Sequence, residues 1–235
     1  MTGSIRLYVA GALATGFTVA VTAGQAHYLG HVMRRRPGDA ILLFNGRDGE
    51  FGARIEGIRR DSASLRIEQR TRVQMPEPDL WLAFALLKRD ATDLVVQKAT
   101  ELGVAALHPV LTERSNTQRM NADRLSAIAI EAAEQSGRLT VPVLHPPRPL
   151  VMLLSDWPAQ RRLFVAVERR VAPRVTPVTG ARAVLIGPEG GFTPGELDAL
   201  RAHPFVTVVS LGPRILRAET ACIAGLALLQ AVDCR

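Results

Sequence analysis

The chain changes its hydrophobic rhythm at Met75-Pro76-Glu77-Pro78, and that change constrains the fold more than any other feature. Proline fixes φ and lacks a backbone N–H, so two within four residues interrupt both ladders and helices. The break divides the chain into residues 1–74 and 75–235. On the first side, Ile5–Val9 and Phe51–Ile58 alternate apolar and polar residues, Ile41–Phe44 is a short apolar run, and Ser64–Gln69 adds a further strand. Asn45-Gly46-Arg47-Asp48-Gly49 reads as a turn, because Asn, Asp and Gly tolerate positive φ. Gly24–Arg35 reads as a helix with Leu29, Val32 and Met33 on one face. Short strands with one helix predict a small β-barrel.

After Pro78, strands alternate with longer helices, the pattern of an α/β domain built on a mostly parallel sheet. Leu80–Leu87, Val104–Leu111, Leu163–Val167, Ala183–Ile186 and Val206–Ser210 read as strands. Asp90–Leu102 is predicted as a helix with Asp90 as N-cap and Gly103 as its stop, and Ala122–Ser136 as a helix ending at Gly137. Thr193-Pro194-Gly195-Glu196 carries a helix-start signal: a capping hydroxyl, proline at the first position, and a glutamate completing a capping box. Ala218–Val232, rich in Ala and Leu, is the closing helix.

The formal net charge is +7, from 29 basic and 22 acidic residues. Residues 1–74 hold 11 basic and 6 acidic residues, a net of +5, and residues 75–235 hold 18 and 16, a net of +2. A basic excess concentrated in the first third points to a polyanion, with nucleic acid first in line. Arginine supplies nearly all of it, a bias that a GC-rich genome also produces. No apolar run reaches the ~18 residues of a membrane span. Met1–Ala10 lacks the basic start and apolar core of a signal peptide, so the cytoplasm is the expected location. Cys222 and Cys234 are too few for a disulfide framework. His27 and His31 are four apart but find no third ligand, so no metal is expected. Neither a serine-hydrolase nucleophile elbow nor H-E-x-x-H is present.

Leu185-Ile186-Gly187-Pro188-Glu189-Gly190-Gly191-Phe192 lies between a buried strand and a capped helix. Ligands of open α/β sheets bind outside the carboxyl ends of strands. Three glycines remove side chains there and let backbone approach a flat ligand. A tight turn without a ligand would read the same way, but neither the dinucleotide fingerprint nor a P-loop does. Leu211-Gly212-Pro213-Arg214-Ile215-Leu216-Arg217-Ala218-Glu219-Thr220-Ala221 also follows a strand and opens a helix. Glu219 there favours the positive end of the helix dipole in either reading. In Glu131-Ala132-Ala133-Glu134-Gln135-Ser136-Gly137-Arg138, the residues Glu131, Glu134 and Gln135 share a helix face. That face is either solvated or leads Arg138 to a phosphate or base. Gln97-Lys98-Ala99-Thr100-Glu101-Leu102-Gly103-Val104, with Glu113-Arg114-Ser115 further on, reads as a helix, a turn and a strand.

These four motifs, in this order over nearly the whole chain, resemble the ribosomal small subunit methyltransferase E family. His27–Phe44, with H-V-M-R and G-D-A-I-L-L-F-N-G, is similar to that family's small N-terminal barrel. The resemblance implies an S-adenosylmethionine-dependent enzyme that methylates N3 of one uridine in 16S rRNA. It implies a C-terminal SPOUT-type α/β domain with a trefoil knot, a PUA-like RNA-binding barrel before it, and a homodimer. Carried over, Leu185, Gly187, Glu189, Gly190 and Gly191 form one wall of the cofactor pocket. Leu211, Gly212, Ile215 and Leu216 form another, with Ala221 close by. Arg138, Arg217 and Glu219 are the candidate catalytic residues. Other SPOUT activities (ribose 2′-O or guanine N1 methylation) and a non-catalytic rRNA-binding assembly factor are the alternatives. Departures are small: Ala218 stands where Thr is usual, and Met33 where Leu is usual, a volume-conserving change.

Overall fold

A computed structural model describes residues 5–115, 117, 119–167, 172–176 and 178–231. The expected features at Met1–Ser4, Val232 and Cys234 lie outside the described residues. The chain forms two compact units: residues up to Pro76 together with Ala133–Val141, and Glu77–Ala132 together with Pro142 onward.

The first unit contains β1 (Arg6–Tyr8), β2 (Thr18–Ala20), α1 (Ala23–His27), β3 (Ala40–Phe44), β4 (Glu50–Ile58) and β5 (Ala63–Arg72). Its sheet runs β1-β3-β4-β5-β2, with β1 parallel to β3 and the other pairs antiparallel. Among the described residues no ladder joins β1 to β2, so backbone bonding makes a mixed sheet with these two at its ends. Two-residue alternation turns Leu7, Ile41, Leu43, Ile55, Leu65 and Ile67 onto one inner face, where Leu29 joins them. The expected Gly24–Arg35 helix is shorter and irregular. Thr22 caps α1 through a reciprocal capping box with Gln25. After His27 the chain widens into a single π turn, Tyr28–Val32, in which Met33 N donates to Tyr28 O at 2.9 Å. The wider turn rotates the following positions. Val32, expected inside, is 59% exposed, while Leu29 is buried.

The segment 133–141 includes the last turn of the helix Ala122–Ser136. Carbonyls in a last turn have no intrahelical donors. Arg6 supplies them: Nη1 donates to Ala133 O at 2.9 Å and Glu134 O at 3.0 Å, and Nη2 to Arg138 O at 2.6 Å. Its Nε donates to Glu50 Oε2 at 2.8 Å, and both side chains of this pair are nearly enclosed. A guanidinium here also meets the negative end of the helix dipole. Phe44, Ala133 and Leu139 bury a second small core beside it. The face read as either solvated or leading to Arg138 is therefore split. Glu131 and Gln135 are exposed, but Glu134 accepts from Tyr8 N at 2.9 Å.

The second unit contains β6 (Leu80–Ala85), α2 (Arg89–Glu101), β7 (Ala106–Leu111), most of α3 (Ala122–Ser136), β8 (Val143–Leu144), β9 (Arg148–Pro149) and α4 (Leu150–Ser155). It continues with β10 (Arg162–Ala166), β11 (Arg182–Ile186), α5 (Pro194–Arg201), β12 (Val206–Val209) and α6 (Ala218–Gln230). The sheet is parallel throughout, in the order β12-β10-β11-β6-β7-β8, with β9 also on β7. Every residue of β11 is buried, as strands covered on both faces require. On one face α4 and α5 bring Leu150, Leu153, Leu154 and Leu200 against Leu163, Val165, Ala183 and Leu185. On the other face lies α6. A Cβ at Gly225 would sit 3.1 Å from Val184 Cγ2, so a side chain there would push α6 and β11 apart by a few tenths of an ångström. The expected N-cap of α2 moves two residues earlier, to Lys88, which makes no side-chain cap bond. Asp90 instead lies in the first turn, where its charge favours the dipole.

Candidate functional site

Three parallel strands end level: Ala166 of β10 stands opposite both Ile186 of β11 and Val209 of β12. The glycine loop leaves β11 and the loop 210–217 leaves β12, with β10 between them. Adjacent strands lie about 4.8 Å apart, so the two loops start roughly 10 Å apart. Both loops therefore lie beyond the carboxyl ends of the sheet, where open α/β sheets bind their ligands.

The glycine loop is held from below and from the side. Gly191 N donates to Pro188 O at 2.8 Å, and the turn places Gly191 at φ +66°, a region that favours glycine. A Cβ at Gly187 would lie 3.0 Å from Phe192 Cε2, and one at Gly190 would lie 3.3 Å from Arg114 Cδ. Arg114 Nη1 donates to Gly190 O at 2.7 Å. Thr193 and Glu196 form the expected capping box of α5. Glu196 does more than cap, because its Oε1 also accepts from Glu113 N at 2.9 Å. This buried carboxylate thus ties the loop after β7 to the loop after β11.

The second wall begins at Ser210. Its N–H donates to Pro173 O at 2.8 Å, and its carbonyl accepts from Val175 N at 3.3 Å. Residues 173–175 therefore run beside the end of β12. Gly212 N donates to Ser210 Oγ at 3.3 Å, which folds the loop back on itself. Leu211 and Leu216 are half-buried, whereas Ile215 is 80% exposed. Arg217 is exposed at the N-cap position of α6, and Glu219 is half-buried in its first turn. Burial, and then the charge of Glu219, push the Cys222 thiol up, so it is not a nucleophile.

The second unit thus brings together Gly187, Glu189, Gly190 and Gly191 on one loop, and Leu211, Gly212, Ile215, Leu216 and Arg217 on the other. Glu219 and Ala221 follow in the first turn of α6. Glu189 is exposed, and the Leu185 side chain belongs to the core beneath the loop. Arg138 belongs to the first unit. It is buried there, with Nη2 donating to Thr140 Oγ1 at 3.0 Å. Sequence reasoning missed Arg114 as a support of the glycine loop and Glu196 as a link between loops. Each acts across about eighty residues of chain, and no local pattern marks such a contact.

Residues 74–230 match the model of an RNA methyltransferase domain, and residues 21–68 match that of an RNA methyltransferase PUA domain. A Rickettsia conorii protein named ribosomal RNA small subunit methyltransferase E is 31% identical, over 94% of this chain and 93% of its own length. A Neisseria gonorrhoeae protein of the same name, solved bound to S-adenosyl methionine, superposes with a TM-score of 0.89 at 30% identity, covering 99% of this chain and 100% of that one. A Legionella pneumophila protein solved with the bound cofactor SAM gives a TM-score of 0.87 at 31% identity over 98% of both chains. Likeness of this extent in sequence and backbone alike means that the chain belongs to the ribosomal RNA small subunit methyltransferase E family.

Proposed function

We propose that the chain transfers a methyl group from S-adenosylmethionine to N3 of one uridine in 16S rRNA of the small ribosomal subunit. The observation that carries this reading is the pair of loops flanking β10, in a fold shared end to end with two proteins solved with that cofactor. The residues fit the cofactor. Side chains at Gly187 and Gly190 would displace Phe192 or Arg114, so both positions present bare backbone. Leu185, Gly187, Glu189, Gly190 and Gly191 form one wall of the pocket, Leu211, Gly212, Ile215 and Leu216 the other, with Ala221 beside them. When bound, S-adenosylmethionine supplies a methyl group already activated on a sulfonium.

The chain's own work is on the uracil. N3 carries a proton and is a poor nucleophile until it leaves. As it leaves, negative charge grows on O2 and O4, and a fixed guanidinium stabilises that charge. Arg138 and Arg217 are the candidates for this role. Glu219 accepts the N3 proton or holds an arginine in place. Arg217 is free to meet the base, being exposed and, among the described residues, not ion-paired. The base leaves its stack to reach the site, as for other enzymes that work on bases.

The second unit is a SPOUT-type domain with a trefoil knot. The chain order supports this path: residues 173–175 lie beside Ser210, yet the segment 210–217 continues to α6, which packs on β11 and β6 beyond β10. The first unit is a PUA-like RNA-binding module, and the enzyme works as a cytoplasmic homodimer. Among the described residues no helix is long and apolar enough to cross a membrane. The test uses labelled S-adenosylmethionine and small subunits from cells lacking the gene, followed by digestion and mass identification of the labelled nucleoside. 3-Methyluridine is expected. Label in any other nucleoside refutes the substrate assignment.

A further inference from the structure

We infer that the π turn and the hairpin beside it grip single-stranded RNA, with His27 and His31 stacking a base and the neighbouring arginines holding its phosphates. This inference rests on the RNA-substrate reading above and assigns it a surface. The two imidazoles are exposed and stacked on each other, with centroids 4.7 Å apart and planes 19° from parallel. The two lie four residues apart, His27 at the end of α1 and His31 in the π turn, with Val32 exposed next to His31. A flat, apolar-edged platform in solvent is what an unstacked base seeks, and it is of little use to a base already inside a duplex.

Charge surrounds the platform. Gly30 lies against Ile58, since a Cβ there would sit 3.3 Å from Ile58 Cδ1, so the hairpin 58–62 flanks the turn. Residues 27–36 and 58–62 carry five arginines, Arg34, Arg35, Arg36, Arg59 and Arg60, against one carboxylate, Asp61. Among the described residues none of the five is ion-paired, whereas Arg54 in the same unit pairs with Glu68 at 2.6 Å. The other nearby acid, Asp39, is occupied by Arg36 N at 3.0 Å. Arg34 stands at φ +52°, the only described residue other than glycine at positive φ. Chains usually place glycine in that position after a helix, and strain of this kind gathers at ligand-binding sites.

The test uses the full-length chain, a short fluorescent single-stranded RNA, and small subunits as methyl acceptor. Two variants serve: His27→Ala/His31→Ala, and Arg34→Gly. The double variant is expected to bind the oligonucleotide about fivefold or more weakly. Its KM for subunits is expected to rise while kcat, S-adenosylmethionine affinity and Tm stay unchanged. Arg34→Gly is expected to reduce the salt slope of RNA binding by about 0.7 while Tm holds or rises, because glycine relieves the backbone. Parent-like RNA affinity and KM in the double histidine variant overturn the inference, as does a parent-like salt slope in Arg34→Gly. If the parent itself methylates no rRNA, the functional reading fails, and the oligonucleotide titration still judges the grip separately.

Discussion

Replacing Gly187 with Ala is the sharpest probe of the glycine loop. The new methyl would sit 3.0, 3.1 and 3.2 Å from Cε2, Cζ and Cδ2 of Phe192. Carbon atoms prefer about 3.5–4.0 Å, so the ring must retreat by roughly half an ångström. It has little room to do so, being 9% exposed and packed with Leu185 and Leu200. Overpacking of this kind costs about 1–3 kcal/mol. At about 2–4 °C per kcal/mol for a chain of this size, Tm is expected to fall by about 2–12 °C. S-adenosylmethionine affinity falls with it, because the ring and the loop move together. The assay is thermal melting with cofactor titration in a double-mutant cycle with Phe192→Leu. Leucine lacks the ring edge, so the cost of Gly187→Ala is expected to shrink by about 1 kcal/mol or more in that background. An equal cost in both backgrounds, or a parent-like Tm in the single variant, refutes the ring contact as the reason for glycine.

Glu196→Ala removes the acceptor shared by Thr193 N and Glu113 N, at about 1–3 kcal/mol for each N–H left unsatisfied. Denaturant unfolding is expected to show that loss, and Glu196→Gln to recover part of it. Burial first, then His145, Arg161 and Arg148, hold His108 down at about 3, so it is neutral in the native state. The unfolded chain binds that proton below about pH 6.5, so stability is expected to fall as pH drops from there toward 3, by up to ~1.4 kcal/mol per unit. His108→Gln is expected to flatten the slope between about pH 6 and 5, above most carboxylates, and an unchanged slope there refutes the assignment. Arg138→Ala is expected to cut turnover strongly while sparing S-adenosylmethionine affinity. Arg138→Lys controls for folding, since the side chain is buried, and weakened cofactor binding with normal turnover refutes the role.

What was legible in the sequence was local. The α5 start at Thr193-Pro194-Gly195-Glu196 and the helix stops at Gly103 and Gly137, both at positive φ, follow from a few adjacent residues. The two site loops were legible for the same reason: each is a glycine-bearing turn between an apolar run and a helix. Three residues of β2 and two each of β8 and β9 are too short to show a period. The six-residue α4 follows a proline-rich stretch that reads as loop. The π turn escaped because residues 24–35 fit an ordinary helical stripe, and only the packing of Leu29 without Val32 selects the wider turn. The burial of Arg138 was invisible because the group that fixes its backbone, Arg6, lies far away in the chain.

That same long reach sets an order of events while the chain is being made. The first unit is made mostly of the earliest residues, but Ala133–Val141 complete it. Synthesis at about 5–20 residues per second puts several seconds between Pro76 and Val141 emerging. Through that interval Arg6 has no helix end to bind and Phe44 has no Leu139 to cover it. The main core of the first unit, all of it within residues 5–67, is complete by then, and only this smaller core is left open. The last piece of the module nearest the start of the chain is thus encoded within the stretch of sequence that builds the other.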